Sequence, residues 1–402
     1  MQSADSPLTA TDDDRPFSGL NVVDLSQGVA GPHCGMLFAQ NGANVIKIEP
    51  PGGDWGRAIG VPYGDFCAYN IAFNRGKRSL AVDLKSDLGL DATRQLLQAA
   101  DVVVENYRPG VLQRFGLDYT TLCAANQDVV YVSITGFGQT GPRASLPATD
   151  AILQSFSGLM SVNRSSDGMP QRVNVLLIDV VTGLYAFQAA STALYKRAMR
   201  GGGRHISVSL MEAVGALQAG AMIEHHLGKV SGKAPLSPAF SFAAADGYVT
   251  INLRRDAHFK LLCRLLECEE LAGDVRFSES SVRIQHADAL LPVLNGKLKA
   301  WKRADLIESL TELDLLHAPV NDYDDYFDDA HVKELDAVHW LEHAGTGSVP
   351  IHAIPGLVTP SEGPLAHSPA LGEHSLQILR ELGIEQSSVD AALTAGAVKS
   401  SP

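Results

Sequence analysis

From residue 20 to residue 209 the chain repeats one pattern, a short apolar run followed by a stretch with helical spacing. The runs are Leu20–Leu25, Val45–Ile48, Ser79–Leu84, Val102–Glu105, Val129–Ile134 and His205–Ser209. Most are apolar at nearly every position instead of at every second one. A strand of that kind is covered on both faces, as in a parallel sheet with helices above and below. The helical stretches run up to Gln40 and over Leu88–Ala99, Asp118–Ala125 and 179–200, and Pro109 marks the start of a shorter one. Gly201–Gly203 ends the longest, whose last turns carry Lys196, Arg197 and Arg200, where cations complement the helix dipole. The expected fold class is α/β, with a large domain on a mostly parallel sheet.

The pattern changes after a helix expected over Met211–Leu227. Pro235 and Pro238 mark a linker, and a strand at Tyr248–Leu253 precedes helices around Phe259–Leu266, Ala287–Lys299 and Asp305–Leu313. These form a smaller α+β domain, and one more helix follows at Ser375–Leu382. The expected organisation is a disordered tail over 1–16, a large domain from 17–228 and 345–402, and a linker with the small domain over 229–344.

Charge narrows the function classes. The chain has 32 Lys plus Arg against 45 Asp plus Glu, a formal net charge of −13. Nucleic acid and anionic membrane surfaces require a basic footprint, so neither is an expected partner. The excess is local. Residues 305–342 hold twelve acids against one base, Lys333, and Met1–Asp14 adds four acids and no base. The remainder is mildly basic, which leaves room for a phosphorylated ligand. Val175–Tyr195 could span a bilayer by length, but Asp179 and Gln188 favour a buried helix. The acidic N-terminus lacks the apolar segment of a signal peptide, and a cytoplasmic location is expected. Cys34, Cys67, Cys123, Cys263 and Cys268 include no Cys-x2-Cys pair, so reduced thiols are expected and a zinc site is not.

The familiar cofactor motifs fail. Gly136–Gly141 matches G-x-G-x-x-G, but Pro142, Arg143 and Pro147 follow where a helix should open. Gly76-Lys77 lacks the earlier glycine and the following hydroxyl of a phosphate loop. G-x-S-x-G and H-E-x-x-H are absent. His225-His226 has no third ligand nearby, and Asp322–Asp325 lacks the glycine and glutamate of a calcium loop.

Other blocks are more telling. They are VVDLSQGVAGP (Val22–Pro32), GANVIKIE (Gly42–Glu49), Gly52-Gly53-Asp54, NRGKRS (Asn74–Ser79), DLK (Asp83–Lys85), VVENYRPG (Val103–Gly110), SITGFG (Ser133–Gly138), PALGEH (Pro369–His374) and LRELG (Leu379–Gly383). In this order, from about residue 18 to 385, they resemble the class III CoA-transferases, the family of formyl-CoA transferase, carnitine CoA-transferase and α-methylacyl-CoA racemase. The resemblance implies a Rossmann-like large domain built from both chain ends, a smaller inserted domain, and a homodimer of interlocked rings.

It also singles out Asp179. An aspartate inside the apolar run Val175–Gly183 carries a desolvation cost unless it is paired or used. At a helix start, backbone N–H groups and the dipole stabilise its ionised form, so a plain N-cap is one reading. The family supplies another, the nucleophile. Its carboxylate would attack an acyl-CoA to give a mixed anhydride, then an aspartyl-CoA thioester from which an acceptor acid takes CoA. Each thioester replaces another, so no metal, ATP or redox cofactor is expected, and the partners are an acyl-CoA and a carboxylic acid. Racemases of the family need a histidine in Gly-His-Asp about 30 residues earlier, and the matching triplet is Ala148-Thr149-Asp150. A threonine hydroxyl stays protonated at neutral pH, which favours transferase over racemase or isomerase. An intact Asp179 argues against a catalytically inactive CoA-binding homologue.

By the same resemblance CoA meets Val29, Ala30, Val82, Lys85, Asn106, Tyr107, Arg108 and Arg114. Lys85, Arg108 and Arg114 can pair with its phosphates, and Tyr107 offers a face to adenine. The substrate pocket is expected at Gln27, Asp150, Phe240 and Phe242. Pro50 and Pro147 replace an arginine and a lysine of formyl-CoA transferase. Pro235–Phe242 replaces its glycine run, an expectation against formate or oxalate and for a larger acyl group walled by Phe240 and Phe242.

Overall fold

The expected runs become strands of one seven-stranded sheet. In chain order the computed structural model has β1 (Asn21–Asp24), α1 (Ala30–Gln40), β2 (Asn44–Glu49), β3 (Arg78–Val82), α2 (Asp87–Gln98), β4 (Val102–Glu105), α3 (Tyr119–Ala125), β5 (Val130–Thr135), α4 (Asp150–Phe156), α5 (Leu177–Arg200), β6 (Arg204–Ser209) and α6 (Leu210–Leu217). The chain returns late with α7 (Ser375–Glu381), α8 (Gln386–Thr394) and β7 (Val398–Lys399). The structure describes residues 15–165, 167–228, 239–253, 255–357 and 366–401. The tail expected over 1–16, apart from Arg15 and Pro16, and the linker prolines Pro235 and Pro238 lie outside the described residues.

The strand order is β7-β3-β2-β1-β4-β5-β6. Every pair is parallel except β7 on β3. From β1 the sheet therefore grows in both directions, the order of a doubly wound dinucleotide-binding sheet. Its two faces explain the continuous apolarity. Val23, Ile46, Leu80 and Val103 pack toward α2, α7 and α8, while Val22, Val45, Val104 and Val132 pack toward α1 and α5. Each such side chain contributes roughly 1.5–3 kcal/mol on burial.

Residues 15–218 and 339–401 belong to one compact unit, and 219–338 to a second. The borders fall at Gln218 and Val338, earlier in both cases than the expected 228 and 344. The first border coincides with a break in the helix expected over Met211–Leu227. Gln218 turns its side-chain amide onto the Val214 carbonyl and closes α6, and a new helix begins at Ala219. The short helix expected at Pro109 is a single tight turn over Leu112–Phe115. The hairpin Val338–His343 with Gly347–His352, helix α8 and strand β7 were not expected.

The smaller unit is built on a three-stranded antiparallel sheet of Ala239–Ala244, Gly247–Asn252 and His317–Pro319. Helices Asp256–Leu265, Ala287–Leu298 and Arg303–Glu312 contribute to its core. Phe240 and Phe242 belong to that core, 7% and 0% exposed, together with Phe259, Leu290 and Leu306. This corrects the expectation that they wall a substrate pocket: their rings fill the interior of the small unit.

Helix α5 is the one described helix long and apolar enough to cross a membrane. It packs closely on α1 through small residues, with Gly183, Ala186 and Ala190 buried. A Cβ at Gly183 would stand 2.7 Å from the Ala30 carbonyl oxygen and 2.8 Å from His33 Nδ1. Gly183→Ala is therefore expected to destabilise the fold by about 1–3 kcal/mol. Urea unfolding followed by circular dichroism measures this, and an unchanged midpoint would show that the two helices do not meet there.

Candidate active site

Helix α5 starts without a cap of its own, since Leu176 has no side-chain acceptor. Asp150, the first residue of α4, supplies one from a distance. Its Oδ2 accepts the backbone N–H groups of Ile178 at 2.7 Å and Asp179 at 3.2 Å. Gln154, one turn later, donates to Asp150 Oδ1 at 2.6 Å and pairs with both backbone groups of Val173. Asp150 is 3% exposed, with its carboxylate committed to the helix end. The expectation of a pocket-lining Asp150 is thus replaced by a capping role.

Asp179 sits in the first turn of α5, half-buried. Its carboxyl makes no hydrogen bond or ion pair among the described residues. Burial, and then the charge of Asp150, push it up to about 7. Two carboxylates thus share one helix start, one fully hydrogen-bonded and one unoccupied. His33 lies 3.1 Å from the Val180 carbonyl through Nδ1. A carbonyl only accepts, so Nδ1 carries the proton, and burial pushes the ring down to about 4.

A second feature is the loop between β1 and α1. Lys77, fully buried, donates to Asp24 Oδ2 at 2.8 Å, the Pro32 carbonyl at 2.7 Å and Asn74 Oδ1 at 2.8 Å. Lys47, also fully buried, donates to the Ser26 carbonyl at 2.8 Å and pairs with Asp54 at 2.9 Å. Asp54 in turn accepts Gly28 N–H, and Asp24 accepts both the amide and the hydroxyl of Ser26. Burial works to raise the Asp24 carboxyl, yet Lys77 and Lys47 hold it below the usual range. The same burial pushes Lys77 down to about 8. Gly28 is left-handed, at φ 81°, and a Cβ there would strike the Trp55 ring at 2.2 Å.

Strands β1 and β4 flank the point where the sheet reverses its winding, the usual crevice for a ligand in such sheets. Here Asn106 exchanges two hydrogen bonds with the backbone of Gln27, at 2.8 and 2.6 Å. A cleft of about 480 Å3 opens beside them, lined by Gln27, Trp55, Tyr107, Arg108, Leu146 and Thr149 among others. The structure thus brings together Gln27, Asn106, Tyr107 and Arg108, and separately Asp150 with Asp179. Thr149 links the two groups, since it lines the cleft directly before Asp150. Val29 and Ala30 are buried at the start of α1 and are not among the residues that line the cleft. Val82 is buried at the end of β3. Lys85, Arg108 and Arg114 are exposed and form no ion pair among the described residues. Sequence reasoning missed Lys47, Lys77 and Gln154. A lysine inside the apolar strand NVIKIE and an Asp-x-x-x-Gln spacing on α4 were the available signals.

The model of CoA-transferase family III matches residues 17–375. The chain is 35% identical to a succinate–glutarate CoA-transferase of Agrobacterium fabrum, over 91% of this chain and 96% of that protein. It is 36% identical to an acetyl-CoA:oxalate CoA-transferase of Acetobacter aceti, over 91% of this chain and 95% of that protein. Its fold is similar to the crystal structure of a CaiB/BaiF family protein from Brucella suis, with a TM-score of 0.81 and 35% identity, covering 92% of this chain and 100% of that one.

The Asp179 carboxyl is expected to titrate near pH 7 and to move down when Asp150→Asn removes the neighbouring charge. Carbon-13 NMR of aspartate-labelled protein reads both midpoints. An Asp179 midpoint near the ordinary value of about 4 would contradict the site as described.

Proposed function

Because the chain belongs to CoA-transferase family III and is an enzyme of that class, we propose that Asp179 is its nucleophile, with an acyl-CoA and a dicarboxylic acid as substrates. The ionised Asp179 attacks the thioester carbonyl, forming a mixed anhydride and releasing CoA thiolate. The thiolate then attacks the aspartyl carbonyl of the anhydride, leaving an aspartyl-CoA thioester and freeing the donor acid. The acceptor carboxylate attacks that thioester, and the returning thiolate captures the acceptor's acyl group and restores Asp179. Every step exchanges one activated acyl bond for another, so the thioester itself supplies the driving force and no further cofactor enters.

The observation that carries this reading is the unoccupied Asp179 carboxyl at a helix start whose capping is done by Asp150. Lys85, Arg108 and Arg114, without acidic partners, are free to meet CoA phosphates, and Val29-Ala30 offers backbone at the start of α1. Gln27, Tyr107 and Arg108 line the cleft beside the turn after β4. The dicarboxylic acceptor follows from the relatives, named for succinate, glutarate, mesaconate and oxalate. With Phe240 and Phe242 in a core and an oxalate enzyme among the relatives, the expectation against oxalate loses its ground. Exposed Leu184, Tyr185, Tyr195 and Met199 on α5 support burial against a second copy in a homodimer, and the use of CoA fits a cytoplasmic enzyme.

Asp179→Ala and Asp179→Asn are expected to lower transfer from succinyl-CoA to glutarate or oxalate by about a thousandfold or more, followed by chromatography of the CoA esters. Hydroxylamine added during turnover is expected to leave a hydroxamate on Asp179, seen by mass spectrometry. Since the nucleophile must be ionised, kcat/KM for the unsubstituted enzyme is expected to fall as pH drops below about 7. Full activity in Asp179→Ala would refute the assignment.

A further inference from the structure

Beside the cleft lies a smaller cavity of about 210 Å3, walled by Glu105, Tyr119, Tyr131, Ser133 and His205. Tyr107, Arg108 and Pro109 line both spaces, so the turn after β4 is the partition between them. Glu105 is the last residue of β4 and 6% exposed. No cation forms an ion pair with it among the described residues. Its Oε2 accepts the Tyr107 backbone N–H at 2.8 Å. Ser133 is its register partner on β5, which brings the hydroxyl against the carboxylate. Ser133 Oγ lies 2.9 Å from His205 Nε2, and the His205 ring stacks on Tyr119 at 4.9 Å.

The remaining ionisable groups around this carboxyl are Tyr107 and Arg108 on its own turn, Tyr131 on β5, His205 on β6, and Asp118 and Tyr119 at the start of α3. A buried carboxyl without a counter-ion costs stability, and an apolar residue would fill the space more cheaply. What Glu105 provides in return is an acceptor for the turn. Asn106 is already locked onto Gln27, and Glu105 holds the next amide, so the conformation of residues 106–108 is set from both sides.

We propose that Glu105 is the positioning residue of the CoA-binding turn, holding Asn106–Arg108 in the binding conformation and acting on CoA affinity without acting on the chemical step. This rests on the reading that CoA binds at that turn. The carboxyl acts through the backbone of Tyr107 and touches no reacting atom. Burial pushes it up to about 7. Above that pH the carboxylate accepts the Tyr107 N–H as a charge-assisted bond. Below it the group carries a proton that must itself be accepted, by Ser133 or the chain toward His205, and its hold on the amide weakens. CoA affinity therefore falls as pH falls through about 7.

Calorimetric titration of the full chain with free CoA at pH 6 and pH 8 tests this. For the unsubstituted chain the dissociation constant is expected to be about tenfold weaker at pH 6, as a charge-assisted bond becomes a neutral one. Glu105→Gln, close to isosteric, is expected at pH 8 to match the unsubstituted chain at pH 6 and to be nearly flat with pH, any remaining slope belonging to the CoA phosphates. Its kcat at saturating acyl-CoA is expected to stay within about twofold, since only binding is affected. Ser133→Ala keeps the carboxylate but removes one donor, so its transition is expected at higher pH. Glu105→Gln binding CoA as tightly as the unsubstituted chain at pH 8, or retaining its pH dependence, would overturn the proposal while leaving the proposed function standing. Absence of CoA binding by the unsubstituted chain would overturn both.

Discussion

Two lysines with no access to water organise the site. Lys77 spends all three of its protons, on Asp24, Asn74 and the Pro32 carbonyl, and Lys47 ties Asp54 to the Ser26 carbonyl. With their partners Asp24 and Asp54 they hold four backbone groups of the β1–α1 loop and the first turn of α1: the Ser26 amide and carbonyl, the Gly28 amide and the Pro32 carbonyl. Such a network is a weak source of net stability, because desolvating the charges offsets most of their attraction. Losing a single partner is another matter, at about 3–5 kcal/mol for an orphaned buried charge. The cluster therefore specifies one loop conformation more than it strengthens the fold.

That loop lies where the sheet changes winding direction, and the Gln27–Asn106 exchange carries its rigidity across to the turn after β4. The opposite support is α5. Its packing against α1 through Gly183 and Ala186 fixes the helix, and Asp150 with Gln154 fixes its first turn. The division of labour at that turn is chemically useful: one aspartate satisfies the backbone, and the other is left with its oxygens open.

The strands were legible because two-sided burial writes itself as unbroken apolarity, as in VVVE and VYVSIT. The hairpin at 338–352 was not, since VHWLEH mixes polar with apolar residues and only two of its six positions are buried. Strand β7 has two residues and owes its existence to the β3 edge, which no local pattern announces. Asp179 stood out as a charge in an apolar run, and its assignment as nucleophile came from the family resemblance. Asp150 was noticed for the wrong reason. Its role depends on α4 lying against the start of α5, a long-range contact that spacing does not encode. Phe240 and Phe242 were misplaced because aromatic residues beside a proline-rich stretch look like pocket walls until their strand is seen paired and covered.

Placing two carboxylates at the head of one helix has a thermodynamic consequence along the proposed route. In the resting protein burial, and then the field of Asp150, oppose ionisation of Asp179, so its free carboxylate is held at raised energy. In the anhydride and in the aspartyl-CoA thioester alike, Asp179 carries no charge, and that opposition vanishes. The capping aspartate thus levels the landscape, lifting the starting state relative to both covalent intermediates. On that route the lift shortens the climb from a free carboxylate to an anhydride, the least stable acyl linkage in the sequence.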